Sequence, residues 1–309
     1  FISEYFDPLQ SAWKKGITIY RPGHHIRNMV GDTSMTFVAE GVQGFRKSSK
    51  DAFKVMQLRN QYEGVDIAKS LNELGEFKLT ATGDVLSKGR YGDLSAGALY
   101  DAAERAGLFR SARVVEDYVD EGAAKNLLSK LSEKASFTGT RLEKAAMGVS
   151  EYREHYSRLQ HFLQIIEKEQ AAGKKAYKGL DEMLTAAAER VKRYHPDVSM
   201  LSPFELRYMR RLIPFYSWFR GIMPAIVESL VMHPGRVNVF PKVSYNLAVM
   251  SGVDPYSLSD PFPTDQLFPS FLTEQMTGPV FQAGGAYFGI NPGIAHMDVL
   301  NTFGGEGYE

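Results

Sequence analysis

The 309-residue chain is long enough for two ordinary domains or one elongated body, and its 44% hydrophobic and 12% aromatic content allows a substantial core. Basic and acidic residues balance at 36 each, so no general affinity for polyanions follows. There is no cysteine, which excludes disulfides, zinc–thiolate sites and cysteine nucleophiles. The chain begins at Phe1, without Met and without a signal-peptide pattern, and reads as a processed product or the ordered part of a longer polypeptide.

Residues 1–139 read as an irregular helical region. A short helix is expected around Leu9 to Lys15. After the Pro22-Gly23 turn, residues from His24 to Val30 start a helix that should end near Gly31. His24, His25 and Asp32 invite a metal reading, but adjacent histidines point to different faces and do not readily chelate one ion. Helices are expected around Asp51 to Arg59 and Val65 to Leu74, separated at Gly64. Thr80 to Ser95 reads as a loop rich in Gly and Asp. It is not a phosphate loop, because Lys88 precedes Gly89 instead of following a glycine at a strand-to-helix turn. Ser95 to Ala106 and Ser111 to Asp120 read as short helices split at Gly107, and Leu127 to Leu131 adds another.

Residues 140–195 carry the clearest pattern. Leu142, Ala145, Val149, Tyr152, Tyr156, Leu159, Leu163 and Ile166 fall at alternating spacings of three and four, a coiled-coil seam. The helix should run to about Gly173, with a length of roughly 45–50 Å at ~1.5 Å per residue. A second helix, Asp181 to Tyr194, ends at His195-Pro196, and the two are expected to form an antiparallel hairpin. The seam has two readings. It packs helices within the chain, or Leu142, Val149, Tyr156, Leu159, Leu163 and Ile166 mediate self-association.

Residues 196–242 hold the most apolar run. Ser202 can cap a helix, Pro203 suits its first position, and Glu205 completes a capping box. Leu212 to Met232 is interrupted by only two charges, Arg220 and Glu228, and the stretch closes at His233-Pro234-Gly235. Pro214 and Pro224 lie inside, each costing roughly 3 kcal/mol in a regular helix. The stretch is therefore a bent helix held by tertiary contacts, or two or three short helices in series. Its 21 residues match a bilayer in length, and Tyr216 and Trp218 near one end suit an interface. Two interior charges and two prolines argue instead for a buried hinge that meets a membrane only in a second state. Pro214, Trp218, Arg220, Pro224 and Glu228 are its candidate residues. Arg207, Arg210 and Arg211 share one helical face, which suits phosphates of DNA or lipid, or intrachain salt bridges.

Residues 243–309 change character. No Lys or Arg follows Lys242, and seven acids do, which leaves 36 basic against 29 acidic residues before that point. Six of the fourteen prolines fall here among many aromatics, so an extended acidic arm that wraps a surface is expected.

No catalytic motif is present. There is no Gly-x-Ser-x-Gly, no HExxH and no CxxC, and no cofactor or metal site is expected. Two motifs carry a resemblance. Pro22, Gly23, His25, Arg27, Asn28 and Gly31 form one, and Ile213, Pro214, Phe215, Tyr216, Trp218, Arg220, Pro234 and Gly235 form the other. With the later DPFP and GINPG turns, the chain resembles long virion structural proteins of tailed bacteriophages, including polyvalent internal or ejection proteins and tape-measure-like proteins. The similarity covers about half of the chain.

The expected fold is mainly α: an elongated helical bundle with a long hairpin and a Pro/Gly/aromatic C-terminal arm. The resemblance implies a non-enzymatic protein of the capsid interior or tail that works by assembly and genome delivery. Its implied partners are other virion proteins, further copies of itself, DNA during ejection and, transiently, the host membrane. The competing readings are a purely architectural connector or lining protein and a catalytic domain of a virion polyprotein.

Overall fold

The computed structural model describes residues 22–62, 84–109, 141–172, 176–196, 201–209, 212–213, 216–250, 280–283, 286–289 and 294–296. Over these the protein is mainly α-helical, with two small antiparallel strand pairs. The expected helices at Leu9–Lys15, Val65–Leu74, Ser111–Asp120 and Leu127–Leu131 lie outside the described residues.

The chain divides into two compact units, Phe1–Arg21 with Glu40–Gly221, and Pro22–Ala39 with Ile222–Glu309. This division follows contacts and not chain order, so it crosses the four segments expected from composition.

The first unit is built on a long helix. Helices α1 (Pro22–Glu40) and α2 (Phe45–Tyr62) are joined by Gly41 to Gly44, where Gly41 and Gly44 take φ of 73° and 78° and reverse the chain in a conformation that favours glycine. A short strand, β1 (Val85–Ser87), pairs antiparallel with β2 (Leu94–Ser95). This corrects the loop expected over residues 80–95. The turn between them docks on a helix because Gly89 has no Cβ: one placed there would meet the Gln170 carbonyl oxygen at 2.8 Å. The Gln170 side chain accepts from the Tyr91 N–H (2.8 Å) and donates to the Gly92 carbonyl (2.9 Å).

Helix α3 (Ala96–Arg105) starts where expected, with Ser95 Oγ accepting from the Ala98 N–H. It stops before Gly107, which takes φ of 71°. The spine is α4 (Arg141–Ala171), against which α2, α3, β1 and α5 (Leu180–Tyr194) all pack. Phe162, Leu163 and Ile166 of α4, Val55 and Met56 of α2, Leu99 of α3, and Met183 and Val191 of α5 share one hydrophobic core. Burying each large side chain of this kind contributes about 1.5–3 kcal/mol.

In the second unit, α1 continues unbroken through Gly31, past its expected end. Pro22 occupies its first position, where a missing N–H costs nothing. Ser34 Oγ and Thr36 Oγ1 donate back to the carbonyls of Gly31 and Asp32. Helix α6 (Tyr216–Met232) is followed by α7 (Pro234–Val237) and α8 (Val239–Met250). Arg236 Nη1 donates to the carbonyls of Val38 and Ala39 at 2.8 and 2.7 Å, capping two last-turn acceptors of α1. The Phe37 and Phe240 rings meet edge to face at 5.9 Å, and Phe240 stacks on the buried His296. Strands β3 (Val280–Ala283) and β4 (Ala286–Gly289) pair in regular register, and β3 lies against α8. The stretch expected to be extended from residue 243 is thus helical to Met250 and holds a strand pair further on.

Candidate functional site

The expected capping box forms. Ser202 N–H donates to Glu205 Oε2 at 2.8 Å, and Glu205 N–H donates to Ser202 Oγ at 3.3 Å. The turn that follows, Glu205–Met209, is π-helical and not α-helical. Glu205 then accepts from the Tyr216 hydroxyl at 2.9 Å and from Arg220 Nε at 3.2 Å. Hydrogen bonds from the Ser202 backbone, the Ser202 side chain and Tyr216, with the Arg220 charge, hold the Glu205 carboxyl down to about 2. The same bond to Glu205 raises the Tyr216 hydroxyl. One carboxylate thus ties the capped turn to the start of α6 across the intervening residues.

Arg220 was expected inside an apolar core. Instead it is exposed and paired with Glu205, so its charge never leaves water. Trp218 and Pro224 are exposed as well, and Glu228 is half-buried. Pro214 lies outside the described residues, as do Arg210, Arg211 and the side chain of Arg207. Among the described residues, no helix is long and apolar enough to cross a membrane.

The expectation of a mostly buried hinge is corrected here. Helix α6 buries Ile222, Ala225, Ile226 and Ser229, a stripe on one side. The opposite side presents Pro224, Val227 and Val231 to solvent, and Met232 is also exposed. Pro224 lies mid-helix on the exposed side, and Arg220, whose carbonyl its missing N–H would have met, is an exposed residue too. Gly221 is required by a close approach: a Cβ there would lie 2.6 Å from Cβ of Pro196.

The self-association seam is redistributed. Leu159, Leu163 and Ile166 are buried in the chain's own core, which is incompatible with an intermolecular seam at those positions. Tyr156 is half-buried and donates its hydroxyl to the Ser49 carbonyl at 3.1 Å. Val149 is exposed, and the Leu142 side chain lies outside the described residues.

Sequence reasoning missed a polar comb on the same helix. Tyr156, Gln160, Gln164 and Lys168 recur every fourth residue and all bond to residues 40–49. Gln160 Nε2 donates to Ser48 Oγ (3.1 Å), and Gln164 Nε2 to the carbonyls of Gly41 (2.9 Å) and Gln43 (2.8 Å). Lys168 Nζ donates to both the carbonyl and the carboxylate of Glu40.

Glu40 is the buried centre of a charge cluster whose two cations reach the surface, with Lys168 Nζ at 2.8 Å, Arg190 Nε at 2.8 Å and the buried His161 Nε2 at 3.5 Å. Burial alone would raise the Glu40 carboxyl, but His161, Lys168 and Arg190 outweigh it and hold the group at about 2. Burial lowers His161, against the pull of Glu40. His161 is enclosed further by the rings of Tyr194 and His195. The four-residue spacing of the comb is visible in the sequence, whereas the pairing of Glu40 with residues more than a hundred positions away is not.

Among the described residues, no group of three or more His, Asp or Glu is placed to hold a metal ion. The Glu40 cluster resembles an acid–base site in composition. Its Glu and His are closed to solvent, however, so it has no substrate access and reads as structural. No protein-family model, curated protein or solved structure matches the chain.

Proposed function

We propose that the chain is a non-catalytic structural component of a tailed-bacteriophage particle, an internal, ejection or tape-measure-like protein. It works by assembling with other virion proteins and with copies of itself, and by rearranging during genome delivery, when it meets DNA. The elongated bundle, the α4–α5 hairpin and a C-terminal arm that wraps a neighbour belong to this reading.

The observation that supports assembly is the second apolar side of α6. Pro224, Val227 and Val231 stand exposed opposite a stripe that is already buried. A row of this kind offers a partner an apolar strip to pack on. The two motifs that carry the phage resemblance supply a second support. Pro22 to Gly31 lies on α1, Pro234-Gly235 opens α7, and Arg236 of α7 caps α1.

Mass spectrometry of particles purified from a lysate of the encoding strain tests the reading. Peptides of this chain are expected at a fixed ratio to the capsid protein. Recovery from the soluble fraction alone would sink it.

A further inference from the structure

We propose that the corner Glu40–Lys47 is an acid-released latch on α4, hinged at Gly41 and Gly44 and opened by protonation of His161. The device lies wholly within the first unit and needs no partner, so it holds independently of the particle reading above.

The corner is attached by polar contacts. None of residues 41–47 is buried, and Val42 is 77% exposed. Gln164 Nε2 donates to the carbonyls of Gly41 and Gln43, Lys168 Nζ donates to the carbonyl of Glu40, and Lys47 Nζ lies 3.3 Å from Glu167 at the surface. Apolar anchoring of α2 begins further on, with Ala52, Val55 and Met56 in the core. A segment with few buried apolar groups opens at a smaller free energy than the whole unit. Gly41 and Gly44 have φ of 73° and 78°, and residues of this type absorb a change of backbone direction at little cost.

The catch is Glu40. Its buried carboxylate takes Lys168 on one oxygen and Arg190 on the other, so a single side chain ties the corner to both α4 and α5. The His161 ring is buried against it, Nε2 lying 3.5 Å from Glu40 Oε1, with the rings of Tyr194 and His195 at 6.0 and 5.3 Å. The groups facing His161 are therefore Glu40 at the end of α1, Lys168 on its own helix, Arg190 and Tyr194 on α5, and His195 just beyond. Further out, Lys47 lies between Asp51 and Glu167.

An imidazolium in the closed state is cut off from water and shares one carboxylate with two cations already bound to it. Lifting Glu40 away uncovers the ring, which then takes its proton at the ordinary value of 6.5. Burial holds the closed ring below that value, so acid favours the open corner. Below pH 6.5 the opening equilibrium rises by up to about tenfold per pH unit, until the closed ring is protonated too. Glu40 is held at about 2 and joins only below 4.5, so a change between pH 7.5 and 5.5 belongs to the imidazole.

Amide hydrogen exchange of the full chain at pH 7.5, 6.5 and 5.5, each rate divided by the intrinsic rate at that pH, tests the latch. The Phe45 and Ser48 amides donate to the carbonyls of Val42 and Gly44 and report the corner. Their protection should fall about tenfold between pH 6.5 and 5.5, while the amides of Val55, Met56 and Phe162 keep theirs. His161→Gln should abolish this acid dependence, and His195→Gln should leave it in place.

Protection of the corner that does not change with pH would overturn the proposal. So would an equal loss at corner and core, which is global unfolding, or an acid dependence that survives His161→Gln. If a variant misfolds, the comparison of corner with core in the unaltered chain still decides.

Discussion

His161 Nε2 lies 3.5 Å from Glu40 Oε1, and neither side chain reaches solvent. The pair sits between the cations of Lys168 and Arg190. A neutral imidazole leaves the cluster with one negative and two positive charges. Protonating it would place a third positive charge beside the one carboxylate, on a ring that solvent does not reach.

The sign of the pH dependence follows. The Glu40 carboxyl is held at about 2, below its ordinary value of 4.5, so its contribution is complete above 4.5 and is lost as pH falls toward 2. His161 is lowered from 6.5 by burial, so the unfolded chain takes up that proton first and stability also falls as pH drops below 6.5. Both effects weaken the first unit in acid. Glu40→Gln should cost about 3 kcal/mol at pH 7, because it leaves Lys168 and Arg190 facing a neutral group. Urea unfolding at pH 7 and pH 5 checks this. The difference between the two pH values should shrink in His161→Gln, and an unchanged difference would refute the assignment.

His296 makes the same prediction for the second unit. Its ring is buried against Phe240, neither nitrogen has a hydrogen-bond partner among the described residues, and burial pushes it down to about 4. The neutral form is the folded form. Stability is therefore present above pH 6.5 and is lost as pH falls through 4, by on the order of 3 kcal/mol at ~1.4 kcal/mol per pH unit. His296→Leu should flatten the melting temperature between pH 6.5 and 4. A variant that keeps the full acid sensitivity would exclude His296 as its source.

Gly221 should not tolerate a side chain. A Cβ on Gly221 would lie 2.6 Å from Cβ of Pro196, which leaves no room, and Pro196 has a rigid ring. Gly221→Ala is expected to destabilise by about 1–3 kcal/mol through overpacking, despite the better helix propensity of Ala. Pro196→Ala in the same chain should recover part of the loss. Thermal unfolding of the single and double variants measures both.

The fate of the heptad pattern on α4 can be tested directly. Leu163→Ala removes a side chain from the intrachain core and should cost about 2–5 kcal/mol. Val149→Ser lies on the exposed end of the pattern and should change stability by no more than about 0.5 kcal/mol. Light scattering run beside the unfolding curves separates the alternatives. Loss of a dimer by Leu163→Ala, with no loss of monomer stability, would restore the intermolecular seam.

Much of the secondary structure was legible because its causes are local. The Ser95 cap, the Gly107 stop and the Ser202–Glu205 box each involve residues three or a few positions apart. The heptads of α4 predicted a long helix, and one of 31 residues is present. Local reasoning failed where a neighbour distant in sequence overrides propensity. Helix α1 passes Gly31 because its far end is packed and capped by Arg236, and β1 forms because Leu94 and Ser95 return beside it.

The candidate site divides along the same line. Spacing alone identified the apolar, arginine-flanked stretch of 202–236 and the charges within it. Whether those residues are buried is a property of what packs on them, and that was decided by the tertiary structure: Ile222 and Ile226 face inward, while Trp218, Val227 and Val231 face water. Arg220 needed no buried partner because Glu205, fifteen residues away, meets it in solvent. The sequence by itself determined a mainly helical protein without thiol chemistry, with a capped apolar segment and a long amphipathic helix, since these follow from residue type and period. Only the tertiary structure decided that α4 is an internal spine and that Glu40 is the centre of a charge cluster, because Coulomb and packing energies depend on distances in space that sequence separation does not encode.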